Sequence, residues 1–194
     1  PAVEVQTVGR DRAQVDRQFS FSMDGLKDRS SLLVQMTAQA QRTWWAIRQS
    51  FSEGEPREAE MFVALARDCM ARSNGQGEPE LLNECLRLIA SESRNAEGRR
   101  ERREAILAAA LHDEGQTQLI IVRSDAAAAE LRSYISKQLD LDPLQLGQLG
   151  IRVQSVFSKW PNQPFERCVS CGYFGNKSLD AMFASGAQRA LLIA

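Results

Sequence analysis

Gln118-Leu-Ile-Ile-Val-Arg-Ser124 is the stretch of the sequence that decides the fold. Its centre, Leu119–Val122, is a continuous apolar run rich in β-branched residues, which is typical of a strand buried on both faces of a parallel sheet. Ser124 suits a helix N-cap, and Asp125 suits the positive end of a helix dipole. A strand followed directly by a helix is therefore predicted, and the helix carries the apolar stripe Leu131, Ile135 and Leu139.

The remainder of the chain after residue 115 repeats this alternation. Apolar runs predict further strands at Ile151–Phe157, Arg167–Cys171 and Ala190–Ile193, with a short helix over Ser178–Ser185 before the last strand. Strands that alternate with helices imply right-handed crossovers and helices packed on the faces of a parallel sheet. The predicted fold class is α/β, and residues 115–194 form a lobe around a parallel sheet of about four strands.

The first 114 residues have a different pattern. Residues 29–114 predict a helical block of about four helices, which start near residue 29, at Pro56, at Pro79 and near residue 96. Residues 1–28 predict an extended arm or one or two edge strands. That prediction rests on the alternation of apolar and polar residues around Val3, Val5, Val8, Phe19, Phe21 and Met23.

The charge of the chain excludes a general basic field of the kind that binds nucleic acid. Its 24 basic and 25 acidic residues give a net charge of −1, with −3 over residues 1–115 and +2 over residues 116–194. No apolar run is long enough to span a bilayer, and the start has no signal peptide, so a cytoplasmic protein without membrane contact is expected. The apolar end, Arg189–Ala194, predicts a segment cut from a longer protein.

The four cysteines and the single histidine point away from catalysis. Cys69 and Cys85 fall on apolar helix faces, where a thiol packs as a small hydrophobic group. Cys168 and Cys171 form one CxxC pair, for which packed thiols are favoured over a redox pair or half of a metal site. His112 is too isolated to support a catalytic triad, so no catalytic residue and no metal ligand is predicted.

A glycine-containing loop follows the predicted strand that ends at Cys171. It resembles a phosphate-binding P-loop, but Cys171 and Asn176 occupy the positions where that motif has glycines. A turn with a helix cap is the favoured interpretation, and a loop that touches phosphate or a nucleic-acid backbone is the alternative. The candidate residues of this loop are Gly172, Gly175, Asn176, Lys177 and Ser178.

A run of charge, Arg99-Arg-Glu-Arg-Arg-Glu104, lies in the fourth predicted helix. Arg100 and Glu104 are four residues apart and can form an ion pair on its surface. A solvated helix face is the favoured interpretation, and a face that contacts phosphates is the alternative.

The order of elements after residue 103 resembles the second RecA-like lobe of superfamily 2 helicases, including divergent members from bacterial anti-phage defence. In that resemblance Arg103–Leu111 is the helix before the first strand, Gln118–Ser124 is that strand, and Ala126–Leu139 is the helix behind it. The loop at 172–178 resembles a loop of such lobes, and the helical block corresponds to an insertion between two lobes. A RecA-like or Rossmann-like sheet is therefore expected.

The resemblance implies a fragment of an ATP-dependent helicase or translocase that lines the nucleotide cleft and the nucleic-acid track. Arg123 and Ser124 match the place where that family contacts nucleic-acid backbone. No Walker A motif is present, so ATP and Mg²⁺ are expected only in the parent protein, with its other domains and DNA or RNA as partners. The alternatives are a non-catalytic α/β scaffold or protein-interaction module, and a nucleotide-binding or hydrolytic domain that uses the 172–178 loop.

Overall fold

The computed structural model describes residues 2–6, 8, 12–24, 31–72, 79–111, 116–159, 164–172, 180 and 185–193. The chain divides into two compact units. The sheet unit consists of Pro1–Gly9 and Glu97–Ala194, and the helical unit consists of Arg10–Ala96. In the described residues, no helix is long and apolar enough to cross a membrane.

The sheet unit is built on five parallel strands. These are β1 (Ala2–Gln6), β2 (Gln118–Val122), β3 (Ile151–Ser155), β4 (Arg167–Ser170) and β5 (Arg189–Ile193), arranged in the order β1-β5-β4-β2-β3. The α/β fold class with a parallel sheet is confirmed. The expected four strands become five because β1, from the start of the chain, pairs with β5 in the register Ala2↔Arg189.

Each strand exposes alternate side chains to the two faces of the sheet. We call one the Ile120 face and the other the Ile121 face. The Ile121 face includes Leu119, Ile121, Gln154, Cys168, Ser170, Ala190 and Leu192, which follow from the strand registers. Part of this face forms an apolar cluster with Val156, Phe165 and Ala187.

Two helices lie on the Ile120 face. Helix α5 (Ala96–Leu111) is held by the side chains of Gln118 and Arg167, which donate to the carbonyl oxygens of Ala110 and Ala109, each at 2.8 Å. Because Gln118 and Arg167 begin their strands, α5 runs antiparallel to the sheet and its first turns point toward the carboxyl ends. Helix α6 (Asp125–Gln138) lies beside α5.

The helical unit contains α1 (Arg12–Asp24), α2 (Ser31–Gln49), α3 (Arg57–Arg72) and α4 (Pro79–Ser93). Phe19 of α1 stacks on Trp44 of α2 with ring centroids 4.3 Å apart, inside an apolar core shared by all four helices. Arg48, which is 5% exposed, donates to both carboxylate oxygens of Asp16 and to Glu92, and so links α1, α2 and α4.

Two expectations from the sequence are corrected. Residues 12–24 form helix α1 rather than an extended arm or second edge strand, because Val15, Phe19 and Met23 repeat every four residues and pack into the helical core. The alternation of Phe19, Phe21 and Met23 had indicated a strand, but Phe21 is not part of the buried stripe, since it is 78% exposed. The predicted helical block, residues 29–114, also included α5. In the structure α5 packs on the sheet and belongs to the sheet unit, so the helical unit ends at Ala96.

Candidate functional site at the carboxyl ends of β2 and β4

The strand order places a topological switch point between β2 and β4. From β2 the chain passes through α6 to β3 on one side, whereas the strand that follows β4 in sequence, β5, lies on the other side. In open parallel sheets, ligands bind in the crevice outside the carboxyl ends of the strands at such a point. We call this region the switch-point edge, and its described residues are Arg123, Ser124, Asp125, Cys171 and Gly172.

Arg123 and Ser124 leave β2 at the switch-point edge. Arg123 is half-buried, while Ser124 is exposed and extended (φ −131°, ψ 160°). The Ser124 hydroxyl accepts a hydrogen bond from the Ala127 N–H at 3.2 Å, so the predicted N-cap of α6 is confirmed. The first turn of α6 thus points its remaining N–H groups toward the edge, where they favour an anion.

Gly172 lies at the same edge, directly after β4. β4 pairs with β2, and the Cys171 N–H donates to the Ile121 carbonyl at 2.8 Å, so the two strands stay together to their carboxyl ends. Gly172 has φ 123°, a conformation that favours glycine, and its carbonyl accepts a hydrogen bond from the buried Ser170 hydroxyl. The other loop candidates, Gly175, Asn176, Lys177 and Ser178, lie outside the described residues.

Arginine side chains of α5 add positive charge that the sequence interpretation had placed in solvent. Arg100 does form the expected ion pair with Glu104, at 3.8 Å. Arg99 and Arg102, however, are 4% and 5% exposed, so the solvated-face interpretation is wrong for this side of the helix. The available signal was spacing, because Arg99, Arg102 and Arg103 continue the buried stripe of α5 toward its amino end, together with Ile106 and Ala110.

Arg102 is the arginine of α5 whose charge acts on a residue of the switch-point edge. The positive charge of Arg102 acts on the thiol of Cys171, the residue that ends β4. The antiparallel course of α5 explains this placement, since the amino-terminal half of the helix points to the carboxyl ends of the strands. The sheet unit therefore holds the buried charge of Arg102 near the end of β4, while the half-buried Arg123 follows the end of β2.

The CxxC cysteines are packed thiols. Cys168 and Cys171 are buried and free, and Cys85 of α4 is buried in the helical core. Burial raises the pKa of the Cys168 thiol to about 12, although a hydrogen bond with Ser185 acts in the opposite direction. Burial also raises the pKa of Cys171, against the opposing charge of Arg102. Both thiols stay neutral at physiological pH, which is the reverse of what a redox CxxC needs.

A cavity of about 400 Å³ lies away from the switch-point edge, on the Ile120 face near the amino ends of β4 and β5. Its walls include Glu4, Arg167, Arg189 and the small side chains Ala105 and Ala109. Arg167 is already used to hold the carboxyl end of α5. We therefore place the candidate site at the strand ends and not in this cavity.

Comparison with known proteins adds no assignment to this geometry. No protein-family model matches the chain, and no curated protein is significantly similar to it.

Proposed function

We propose that the sheet unit binds the backbone of single-stranded nucleic acid at the switch-point edge, as a second-lobe fragment of an ATP-dependent helicase or translocase. The observation that carries the proposal is the pairing of β2 with β4 at the switch point, which brings Arg123, Ser124 and Gly172 to one edge. Residues almost 50 positions apart in the sequence thus become neighbours in the place where α/β sheets hold ligands.

The chemistry of the edge suits a phosphodiester. A phosphate needs hydrogen-bond donors and positive charge, which the guanidinium of Arg123 and the amino end of α6 supply. Lys177, in the loop that follows Gly172, carries a further positive charge in the sequence. Backbone contacts of this kind favour nucleic acid without a preference for base sequence.

The loop after β4 departs from the phosphate-binding motif of ATP-binding lobes. Cys171 and Asn176 occupy the positions where a P-loop has glycines. The proposal therefore assigns ATP and Mg²⁺ to another part of the parent protein and only nucleic-acid contact to this chain.

The test is a titration of a fluorescently labelled, roughly 20-nucleotide single-stranded DNA, followed by anisotropy at several salt concentrations. Arg123→Ala is expected to weaken binding about fivefold or more and to flatten the salt dependence. Arg152→Ala is the matched control. This substitution also removes one positive charge, but Arg152 is exposed near the amino end of β3, away from the switch-point edge. Lys177→Ala is expected to weaken binding as Arg123→Ala does.

Absence of binding near 50 mM salt would overturn the proposal, and so would equal losses in Arg123→Ala and Arg152→Ala. The second candidate function, a non-catalytic interaction module, is favoured by the edge strand β1. Its valines Val3 and Val5 are 49% and 62% exposed, as in strands that pair with another chain. Nucleic-acid binding that does not respond to Arg123→Ala, together with self-association lost in Val5→Lys, would support this candidate instead.

A further inference from the structure

Gln154 carries a buried amide group that no described residue satisfies. Its side chain is 6% exposed, and neither Nε2 nor Oε1 has a hydrogen-bond partner among the described residues. Folded proteins rarely keep both a donor and an acceptor buried and unpaired, because each one loses its hydrogen bonds with water on folding. An apolar residue in the same place of β3 would avoid this cost.

The position of Gln154 connects it with the switch-point edge. It lies on the Ile121 face, directly opposite Ile121 in the register of β2 and β3, one residue before β3 ends. On the other side of Ile121, the register places Ser170, whose hydroxyl binds the Gly172 carbonyl. The amide therefore shares a row across the sheet with the residues that shape the edge.

Arg123 lies at the same end of the sheet. It directly follows Val122, the last residue of β2, and Val122 pairs with Ser155, the residue after Gln154. Gln154 and Arg123 therefore lie at the carboxyl ends of two adjacent strands.

The amide needs a ligand that both donates and accepts hydrogen bonds. A phosphate only accepts, so it would satisfy Nε2 of Gln154 and leave Oε1 unpaired. The edge of a nucleobase and a ribose 2′-hydroxyl each offer a donor and an acceptor next to a phosphate. We infer that Gln154 recognises the nucleoside part of the bound strand, beside the backbone contact made by Arg123. This inference rests on the proposed function.

The decisive variant is Gln154→Leu, which removes both polar atoms and keeps a similar volume, and Gln154→Met serves as a second apolar variant with an unbranched side chain. We expect the Tm to rise by about 2–4 °C, because an unsatisfied amide no longer has to be buried. We expect affinity for single-stranded nucleic acid to fall about tenfold, because the ligand loses its partner. A gain in stability with a loss of binding is a combination that a structural role does not produce.

Ser136→Ala is the matched control. The Ser136 hydroxyl is also buried without a partner among the described residues, but it lies on α6 near its carboxyl end, away from the edge. Its removal is expected to leave binding unchanged. Single-stranded RNA, DNA and abasic DNA of equal length then distinguish the two candidate partners of Gln154, the 2′-hydroxyl and the base. Tighter binding of RNA than of DNA identifies the hydroxyl, and tighter binding of DNA than of the abasic strand identifies the base. Either preference is expected to be lost in Gln154→Leu.

Each outcome decides the inference. If Gln154→Leu and Gln154→Met bind as tightly as the wild type while Arg123→Ala binds weakly, the proposed function stands and this inference falls. If both apolar variants lower the Tm, the amide is hydrogen-bonded in the unliganded protein, for example to water, and the inference is overturned. If the wild type binds none of the three oligonucleotides, the proposed function fails and takes this inference with it.

Discussion

Removal of the Arg48 guanidinium is expected to destabilise the helical unit more than removal of any surface ion pair. Arg48 donates from Nε and Nη2 to the two oxygens of Asp16 at 3.0 and 2.8 Å, and from Nη1 to Glu92 at 2.9 Å. Burial alone would lower the pKa of Arg48, but the hydrogen bonds to Asp16 and Glu92 hold it above its usual value. The network therefore depends on a permanent positive charge.

The magnitude follows from what Arg48→Met leaves behind. Two carboxylates lose their shared counter-charge, and breaking a buried pair in this way costs about 3–5 kcal/mol. The side chains of Asp16 and Glu92 are 33% and 15% exposed, so water partly rehydrates them and the lower end applies. Trp44 also continues to donate to Asp16 from Nε1 at 3.0 Å. We expect a loss of about 3 kcal/mol in the free energy of unfolding.

The assay is urea denaturation of the full chain, followed by tryptophan fluorescence and by circular dichroism. Arg87→Met is the control, because Arg87 also forms a two-pronged contact with a carboxylate, Glu84, but on the surface, where a small effect is expected. A double-mutant cycle of Arg48→Met with Asp16→Asn should show coupling of at least about 1 kcal/mol. Equal losses in the two arginine variants, or no coupling to Asp16, would refute the reasoning.

Three further predictions concern the sheet unit. Above pH 9 the Cys168 thiol ionises in the unfolded chain, whereas in the folded protein its pKa of about 12 keeps it neutral, so the free energy of unfolding falls as pH rises. The free energy of unfolding that Cys168→Ala loses, measured by urea titration, should therefore be about 1–2 kcal/mol smaller at pH 10 than at pH 7. Gly150→Ala should cost at least about 1–2 kcal/mol, because φ is 75° and the new Cβ would lie 3.2 Å from a backbone oxygen; Gly147→Ala, with open space around it, should be neutral. Arg132 donates to the Val153 carbonyl of edge strand β3 at 2.9 Å, so Arg132→Ala should self-associate in sedimentation experiments as concentration rises, and a variant that stays monomeric would contradict this role.

Local patterns in the sequence predicted most of the elements. The apolar run of β2, the cap at Ser124 and the stripe of α6 each depend on residues within a few positions of one another, and all three are present in the structure. The helix starts at Pro56 and Pro79 were also predicted within one residue. Propensity, capping and periodicity are short-range effects, so a single sequence carries them.

The candidate site was predicted only in its parts. Arg123 and Ser124 were selected from the helicase resemblance and Gly172 from the glycine-containing loop, but the sequence had no means to show that β2 and β4 are neighbours. Gln154 gave no signal at all, since a glutamine near the end of a strand is unremarkable until its burial is known. Arg102 belonged to a charge run that is usually solvated, and its burial depends on the packing of α5 against the sheet.

The sequence by itself determined an α/β chain with a parallel sheet, because alternating apolar runs and capped helices leave few other arrangements. Only the tertiary structure decided the strand order, the addition of β1 to β5 and the side of α5 that is buried. Those features rest on contacts such as Ala2↔Arg189, between residues far apart in the chain. Their free energy comes from burial and hydrogen bonding across the whole unit, which no local pattern encodes. The switch-point edge, where the proposed nucleic-acid contact lies, is a product of that long-range order.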